Sequence, residues 1–221
     1  MSLHFFSRVQ GVEKRERTVG LREQKKRATR HALFEAAIRL AAEYGVQQVT
    51  VEAISERAGV SPRTFFNYFK GREDAFVMAD PEVGERIRQA VREAPAERSA
   101  LDVLREAMAE QIAGMELDRE LWSLVALVLS RSPELTSRLL SLQAEEERAL
   151  AEAFTVRLRA QGTTGPRAEL YATLLASLST AAIRVAMTHW YEHDGGSAFL
   201  DVFHQVFDQL AAGFVRPLDE S

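Results

Sequence analysis

A chain of 221 residues can bury a sizeable core in one or two domains, and 46% hydrophobic residues with only six prolines point to a globular chain. The absence of cysteine excludes disulfides and thiolate metal sites, and no long apolar run free of charge is present to suggest a membrane span. The net charge of −4 hides an asymmetry: residues 1–74 hold 14 Lys and Arg against 9 Asp and Glu, net +5, while residues 75–221 hold 14 against 23, net −9. One end suits phosphates and the other repels them.

Helical apolar spacing runs almost throughout, with no convincing alternating strand and no internal repeat, so an all-α fold of about nine helices is predicted. Residues 1–21 read as a flexible basic arm, in which Leu3-His4-Phe5-Phe6 is too short for the apolar part of a secretory signal; a cytoplasmic protein without a membrane association is expected. The densest basic stretch, Arg22, Lys25, Lys26, Arg27 and Arg30, suits a DNA backbone, with Lys26 and Arg27 the candidate phosphate contacts. A solvated helix end is the other reading of such a run. Leu33, Ala36, Ala37, Leu40, Ala41 and Tyr44 then form the stripe of a first helix ending near Gly45.

Thr50 sits where an N-cap belongs, and the second helix turns Val51, Ile54 and Ala58 inward and Glu52, Ser55, Glu56 and Arg57 outward. Gly59 fits the left-handed position that ends a helix, with Val60 packing back over the turn. Ser61 caps a third helix that Pro62 opens, at a position where a missing N–H costs nothing. Phe65 and Phe69 face inward, leaving Arg63, Thr64, Asn67 and Tyr68 outward or flanking, side chains able to bond base edges, thymine methyls or phosphates. This is the pattern of a helix-turn-helix. Arg63 suits guanine and Asn67 suits adenine or phosphate, with Pro62 beside them, while Thr50, Ser61, Thr64, Tyr68, Lys70 and Arg72 are the expected phosphate contacts.

A fourth helix is expected from near Arg72, interrupted at Asp80-Pro81 and continuing through Ile87 and Val91. Ser99 caps a helix with Leu101, Leu104, Met108, Ile112 and Met115 on one face. Asp118 caps the next, whose Leu121–Ser130 segment is apolar nearly all round and predicted to be buried on most sides. Ser132 and Pro133 open another, turning Leu135, Leu139, Leu142, Phe154 and Leu158 inward and ending at Gly162. Pro166 begins a long helix to about His193, and Ser197 caps a last one with Phe199, Phe203, Val206, Phe207, Leu210 and Phe214 inward.

So apolar a terminal pair favours a partner surface, with Leu174, Leu178, Val185, Phe199, Phe203, Val206, Phe207 and Leu210 as candidate dimer contacts; a fully intramolecular core is the alternative. Met108, Met115, Trp122, Val125, Tyr171 and Met187 are candidate walls of an apolar effector pocket, and Arg119 and Arg184 candidate anchors for an anionic end. Stripes of this kind are more often core than cavity.

The unbroken succession of Ala58-Gly59-Val60-Ser61, Thr64-Phe65-Phe66-Asn67-Tyr68-Phe69 and Gly71-Arg72-Glu73-Asp74 resembles the TetR/AcrR family of bacterial transcriptional repressors. The resemblance implies a helix-turn-helix DNA-binding domain over residues 22–74 and a ligand-binding and dimerisation domain over 75–221. It implies a homodimer joined through the last two long helices, a double-stranded DNA operator of near-palindromic form, and release when a small, largely apolar effector binds. In that family the fourth helix links the domains and moves with ligand, which would make Pro81 a pivot; an ordinary helix boundary is the other reading. Phe66 departs from the family, since many relatives carry a phosphate-contacting tyrosine there, and Tyr68 is the residue to supply that contact.

Two other functions fit parts of the sequence. A DNA-binding module without small-molecule control would carry the same head. His189, Glu192 and His193 spell H-x-x-E-H, the pattern of a zinc hydrolase, but a further acidic ligand is required and only 28 residues follow His193. With His204, the pair also reads as a metal or pH-sensitive contact, or as a plain helix C-terminus that favours imidazolium. No enzyme activity, cofactor or metal is expected, and no Walker A, Rossmann or G-x-S-x-G pattern occurs.

Overall fold

The computed structural model describes residues 3–77, 80–113, 118–193 and 196–213, with side chains from Arg22 onward except Glu23. Among the described residues there are nine α-helices, two 3-10 turns and no strand, as the all-α expectation has it. The helices are α1 (Leu3–Tyr44), α2 (Val51–Arg57), α3 (Pro62–Phe65), α4 (Pro81–Glu93), α5 (Ala100–Ala113), α6 (Arg119–Arg131), α7 (Pro133–Ala160), α8 (Pro166–Glu192) and α9 (Phe199–Ala212). The chain divides into two compact units, 1–78 and 79–221.

In the first unit α1 begins at Leu3, so the segment read as a flexible arm is helical from that residue; its Glu, Lys, Arg and Gln favour helix and it contains no proline. Leu33, Phe34, Ala36, Ala37, Ile38, Leu40 and Ala41 are buried, a stripe that Phe34 and Ile38 make wider than predicted. Tyr44, expected within it, is 59% exposed because the helix ends there and the chain turns away at Gly45. Ser55, placed outward by the sequence pattern, is buried beside Ile54.

The chain from Arg72 does not open the fourth helix. It forms a 3-10 turn, Arg72–Phe76, and buries Ala75, Phe76 and Val77 with Ile54 and Phe65, so the unit closes four residues later than the boundary expected after Asp74. Each buried leucine, isoleucine or phenylalanine of this small core contributes about 1.5–3 kcal/mol.

In the second unit α4 starts where the Asp80 carboxylate accepts from the Glu82 N–H (3.0 Å), with Pro81 in the first turn. Its core holds Val91, Leu104, Ile112, Phe154, Leu175, Trp190, Phe199, Phe203 and Phe207. α8 lies against α7 and α9, and its buried stripe is mostly of small residues, Ala168, Ala172, Ala176, Ser179, Ala182 and Ala186, which let neighbouring backbones approach, together with Leu175 and Trp190. α6 packs against α7 and α8 with only Leu121, Val125 and Val128 fully buried and Trp122 half-buried on the core, so it is more exposed than the helix buried on most sides that was predicted. Ser197 does not cap α9; Ala198 holds that position, and the Ser197 carbonyl accepts instead from Trp190 Nε1 (3.1 Å) and Arg119 Nη2 (2.8 Å). Met115 and Phe214 lie outside the described residues.

A buried cation ties this unit together. Arg157 on α7 donates through Nη1 to the Val91 (3.3 Å) and Ala94 (2.5 Å) carbonyls, and through Nη2 to those of Pro95 (2.8 Å) and Arg98 (2.9 Å). It thereby satisfies the carbonyl end of α4, where a helix has no internal donors left. α4 also reaches α5, where Arg86 Nε donates to Gln111 Oε1 (2.8 Å), and its carboxylate pairings lie nearer the surface: Arg88 meets Glu85 and Glu146, and hydrogen bonds from Arg92 and then Arg88 hold the Glu85 carboxyl below its ordinary pKa. Such exposed pairs stabilise little.

Candidate nucleic-acid interface

The face that could meet a nucleic acid is set by two caps and one turn. Thr50 Oγ1 accepts from the Ala53 N–H (3.1 Å) and starts α2. α2 ends in two reversed bonds, Val60 N–H to the Ser55 carbonyl (2.9 Å) and Gly59 N–H to that of Glu56 (3.0 Å), which require Gly59 at φ +68°. Ser61 Oγ then accepts from the Thr64 N–H (3.1 Å) and pairs with the Thr64 hydroxyl (2.9 Å). The α-helical part of α3 is only Pro62–Phe65, but bonds from Asn67 to Thr64, from Tyr68 to Phe65 and from Phe69 to Phe65 continue the spiral to Phe69.

Phe65 and Phe69, with centroids 5.4 Å apart, anchor the inner side, and Arg30 of α1 stands over the Phe69 ring at 5.0 Å and the Tyr68 ring at 6.0 Å. The outer side presents Pro62, Arg63, Asn67 and Lys70, all exposed; of the four side chains the sequence pattern places outward or flanking, Arg63 and Asn67 are exposed and Thr64 and Tyr68 half-buried, and Ser61 and Thr50 are also exposed. Lys26 and Arg27 are half-buried on α1. Arg72 has a different occupation from the phosphate contact expected of it. Its Nη1 donates to the Val49 carbonyl (3.0 Å) and its Nε and Nη2 to Glu73 Oε1 (3.2 and 3.0 Å), so it pins the 3-10 turn to the segment before α2. Phe66, noted in the sequence for its missing hydroxyl but given no role there, is an aromatic ring left 59% exposed beside Arg63 and Asn67; the signal of that exposure was the place it takes in the outward spacing.

In the second unit the predicted pocket residues scatter. Met108, Trp122 and Met187 pack half-buried on the core, and Val125 is buried. Arg119 is engaged within the unit: it donates to the His193 carbonyl (3.2 Å) and the Ser197 carbonyl, and lies over the Trp190 ring at 5.1 Å. Tyr171 is 46% exposed and Arg184 is exposed, both on the outward side of α8.

The dimer candidates divide as well. Phe199, Phe203 and Phe207 are buried within their own chain and Val206 and Leu210 pack half-buried against that core, so the three phenylalanines present no surface to a partner. Leu174 (52% exposed) and Val185 (49% exposed) do, with Leu178 half-buried between them. Leu170, 69% exposed, extends that row to the start of α8. α8 is also long and apolar enough to cross a membrane by length and composition, which the sequence reading did not anticipate; 33% of its most apolar stretch is buried.

His189 and His193 stack at 4.3 Å at the end of α8, with His193 Nδ1 beside the His189 carbonyl at 3.0 Å. Both rings and Glu192 are exposed, and no group of three or more metal-binding side chains forms among the described residues.

A glycine-turned pair of capped helices, braced by a longer first helix and presenting arginine, asparagine and lysine on one side, defines the first unit as a helix-turn-helix. Comparison with known proteins agrees. Residues 33–77 match the family described as bacterial regulatory proteins, tetR family, and residues 98–215 match the MftR C-terminal domain. The chain belongs to the TetR family of bacterial regulatory proteins. Among its relatives is the HTH-type transcriptional regulator TcmR of Streptomyces glaucescens, 30% identical over 145 residues that make up 62% of this chain and 64% of TcmR, so the chain spans less than two thirds of that relative's length. The fold is shared with the transcriptional regulator FadR of Bacillus subtilis in complex with stearoyl-CoA (TM-score 0.53, 22% identity, 83% of this chain and 98% of that one). It is shared also with SmeT of Stenotrophomonas maltophilia in complex with triclosan (TM-score 0.51, 19% identity, 87% and 100%).

Proposed function

We propose that the chain is a ligand-responsive transcriptional repressor of the bacterial cytoplasm, without enzyme activity, that binds a near-palindromic operator as a homodimer and is released by a small, largely apolar effector. The observation that carries this reading is the outward set Arg63, Asn67 and Lys70 on a turn whose caps and inner phenylalanines leave those side chains exposed. Arg63 and Asn67 read base edges beside Pro62, and Thr50, Ser61, Thr64, Tyr68, Lys70, Lys26 and Arg27 lie along the backbone as phosphate contacts.

One such turn covers too few base pairs to single out a genomic site, whereas two copies about 34 Å apart read successive major grooves. The exposed Leu170, Leu174 and Val185 on α8 supply the surface for that second copy. An effector favouring a head spacing that does not match successive grooves lowers operator affinity by a coupling energy of about 1–3 kcal/mol. The core-facing Met108, Trp122, Val125 and Met187 are the remaining pocket candidates, thioether and aromatic walls that adapt to an apolar guest. That the same fold holds stearoyl-CoA in FadR and triclosan in SmeT supports this class of effector.

Fluorescence anisotropy on DNA from the gene's own upstream region, beside a scrambled duplex at near-physiological salt, tests the DNA reading. Tight binding to the native fragment with two protomers per site is expected; equal weak binding to both duplexes, followed by no enrichment from a random-sequence pool, would sink it. Thermal shifts across a panel of apolar compounds, including a long-chain acyl-CoA, test effector control. A compound that raises the melting temperature and releases the DNA is expected, and a panel that does neither favours a DNA-binding module without ligand control.

A further inference from the structure

The ring of Phe66 is an unexplained exposure. Its neighbours Phe65 and Phe69 are buried, yet Phe66 is 59% exposed, and it stands edge-on to Phe65 with centroids 5.4 Å apart and planes at 85°, a contact that fixes where the outer ring sits. The backbone here is wound tightly: the Asn67 N–H bonds the Thr64 carbonyl (3.0 Å) and the Tyr68 N–H that of Phe65 (2.9 Å), both spanning three residues. Phe66 itself still closes a four-residue bond, its N–H to the Pro62 carbonyl (3.2 Å), so it is a same-side neighbour of Arg63 one turn on, with Asn67 next to it. The ring therefore stands beside Arg63 on the exposed side of the turn.

A group placed there meets whatever Arg63 and Asn67 meet. Phenylalanine has no hydroxyl to give a phosphate, so the backbone contact of a tyrosine is closed to it. On the floor of the major groove the apolar feature is the thymine C5-methyl, which distinguishes thymine from cytosine and marks the strand on which it lies. We propose that Phe66 is a specificity-determining residue that reads one or two thymine methyls next to the base pair contacted by Arg63. The proposal rests on the DNA-binding reading of the first unit, and its test separates the two.

Duplexes enriched by the full-length protein from a random-sequence pool serve as probes, and each thymine of a half-site is replaced in turn by uracil, which removes the methyl and leaves every hydrogen-bonding group. Binding is read by anisotropy for the native protein and for Phe66→Ala, Phe66→Leu and Arg63→Ala, each shown by circular dichroism to keep its helix content. The native protein is expected to lose about fourfold in affinity, the worth of one buried methyl, at one or two thymines per half-site. Phe66→Ala should bind the thymine and uracil forms alike at those positions, Phe66→Leu should keep part of the difference, and Arg63→Ala should keep it although it binds more weakly overall. Uracil sensitivity that is the same in the native protein and in Phe66→Ala, or that is absent from the native protein, overturns the assignment while leaving DNA binding intact. Failure to enrich any duplex overturns the DNA reading and this proposal with it.

Discussion

Arg157→Met tests how the second unit is held together. The side chain is 3% exposed, and its guanidinium serves four carbonyls, two in the last turn and cap of α4 and two in the connection to α5. Methionine fills similar space without a donor, leaving the Val91 carbonyl buried and unbonded and removing a positive charge from the negative end of α4. A hydrogen bond to a charged group is worth about 1.5–3 kcal/mol net, but four bonds share one charge here, and the Ala94, Pro95 and Arg98 carbonyls are near enough to solvent to recover partners. The loss expected is therefore about 3–5 kcal/mol, not four times the single-bond value.

Both tryptophans, Trp122 and Trp190, lie in the 79–221 unit, so their fluorescence follows that unit alone through a urea transition. With a slope of about 1–3 kcal/mol per molar, the midpoint should fall by more than about 1 M at fixed protein concentration. Arg157→Lys, which keeps the charge but loses the fork, should fall between the two. A methionine variant within about 0.5 kcal/mol of the native protein would refute the reasoning, since it would mean that the four carbonyls need no cation.

Ser61→Ala removes the acceptor of the Thr64 N–H and should cost about 1 kcal/mol locally, seen as faster hydrogen exchange at Thr64; unchanged exchange would show that the cap contributes nothing. At Gly59 an added Cβ meets nothing within 4 Å, so Gly59→Ala carries only the strain of its positive φ, about 1 kcal/mol in a thermal melt followed by circular dichroism, and Gly59→Asn should recover part of it. Arg63→Ala should cost about 1–3 kcal/mol on an enriched duplex and relax preference at one base pair, whereas Lys70→Ala should weaken all sequences alike and flatten the salt dependence. Leu174→Glu on the exposed row of α8 should shift the protein to monomer by sedimentation velocity while leaving Trp fluorescence native; a dimer that survives it would move the interface elsewhere.

What could be read from the sequence was what is decided within a few residues. Thr50, Gly59, Ser61 and Pro62 act on their own turns, and the structure gives each the cap, left-handed turn or first-turn position read for it. The features that escaped depend on partners far along the chain. Arg119 and Arg72 look like available cations until the His193 and Ser197 carbonyls, or that of Val49, are brought to them. Arg157 gave no signal, because its acceptors lie about sixty residues upstream and are backbone atoms, which composition does not mark. Periodicity showed that Phe199, Phe203 and Phe207 share a face of α9, but whether that face is covered by the same chain or another is a question of tertiary arrangement.

α8 carries apolar residues on both of its faces, and this bears on where a second copy could sit. A helix at the surface of a lone globular unit turns its large apolar residues inward, yet α8 buries Leu175, Trp190 and a row of alanines and still leaves Leu170, Leu174 and Val185 outward. The inner face packs against α7 and α9, where Leu175 and Trp190 share a core with the phenylalanines of α9. The large outward residues remain in contact with water unless another surface covers them. A bilayer is poorly suited to that task, since Arg167 and Glu169 stand in the first turn of α8 and Arg184 is exposed near Val185. A second copy of the same row would suit it better: the leucines would then meet across a two-fold axis, with the charged residues at the rim, where their hydration is kept. α9, which looked the more apolar helix by sequence, is needed by its own core, and α8 is the helix with apolar surface to share.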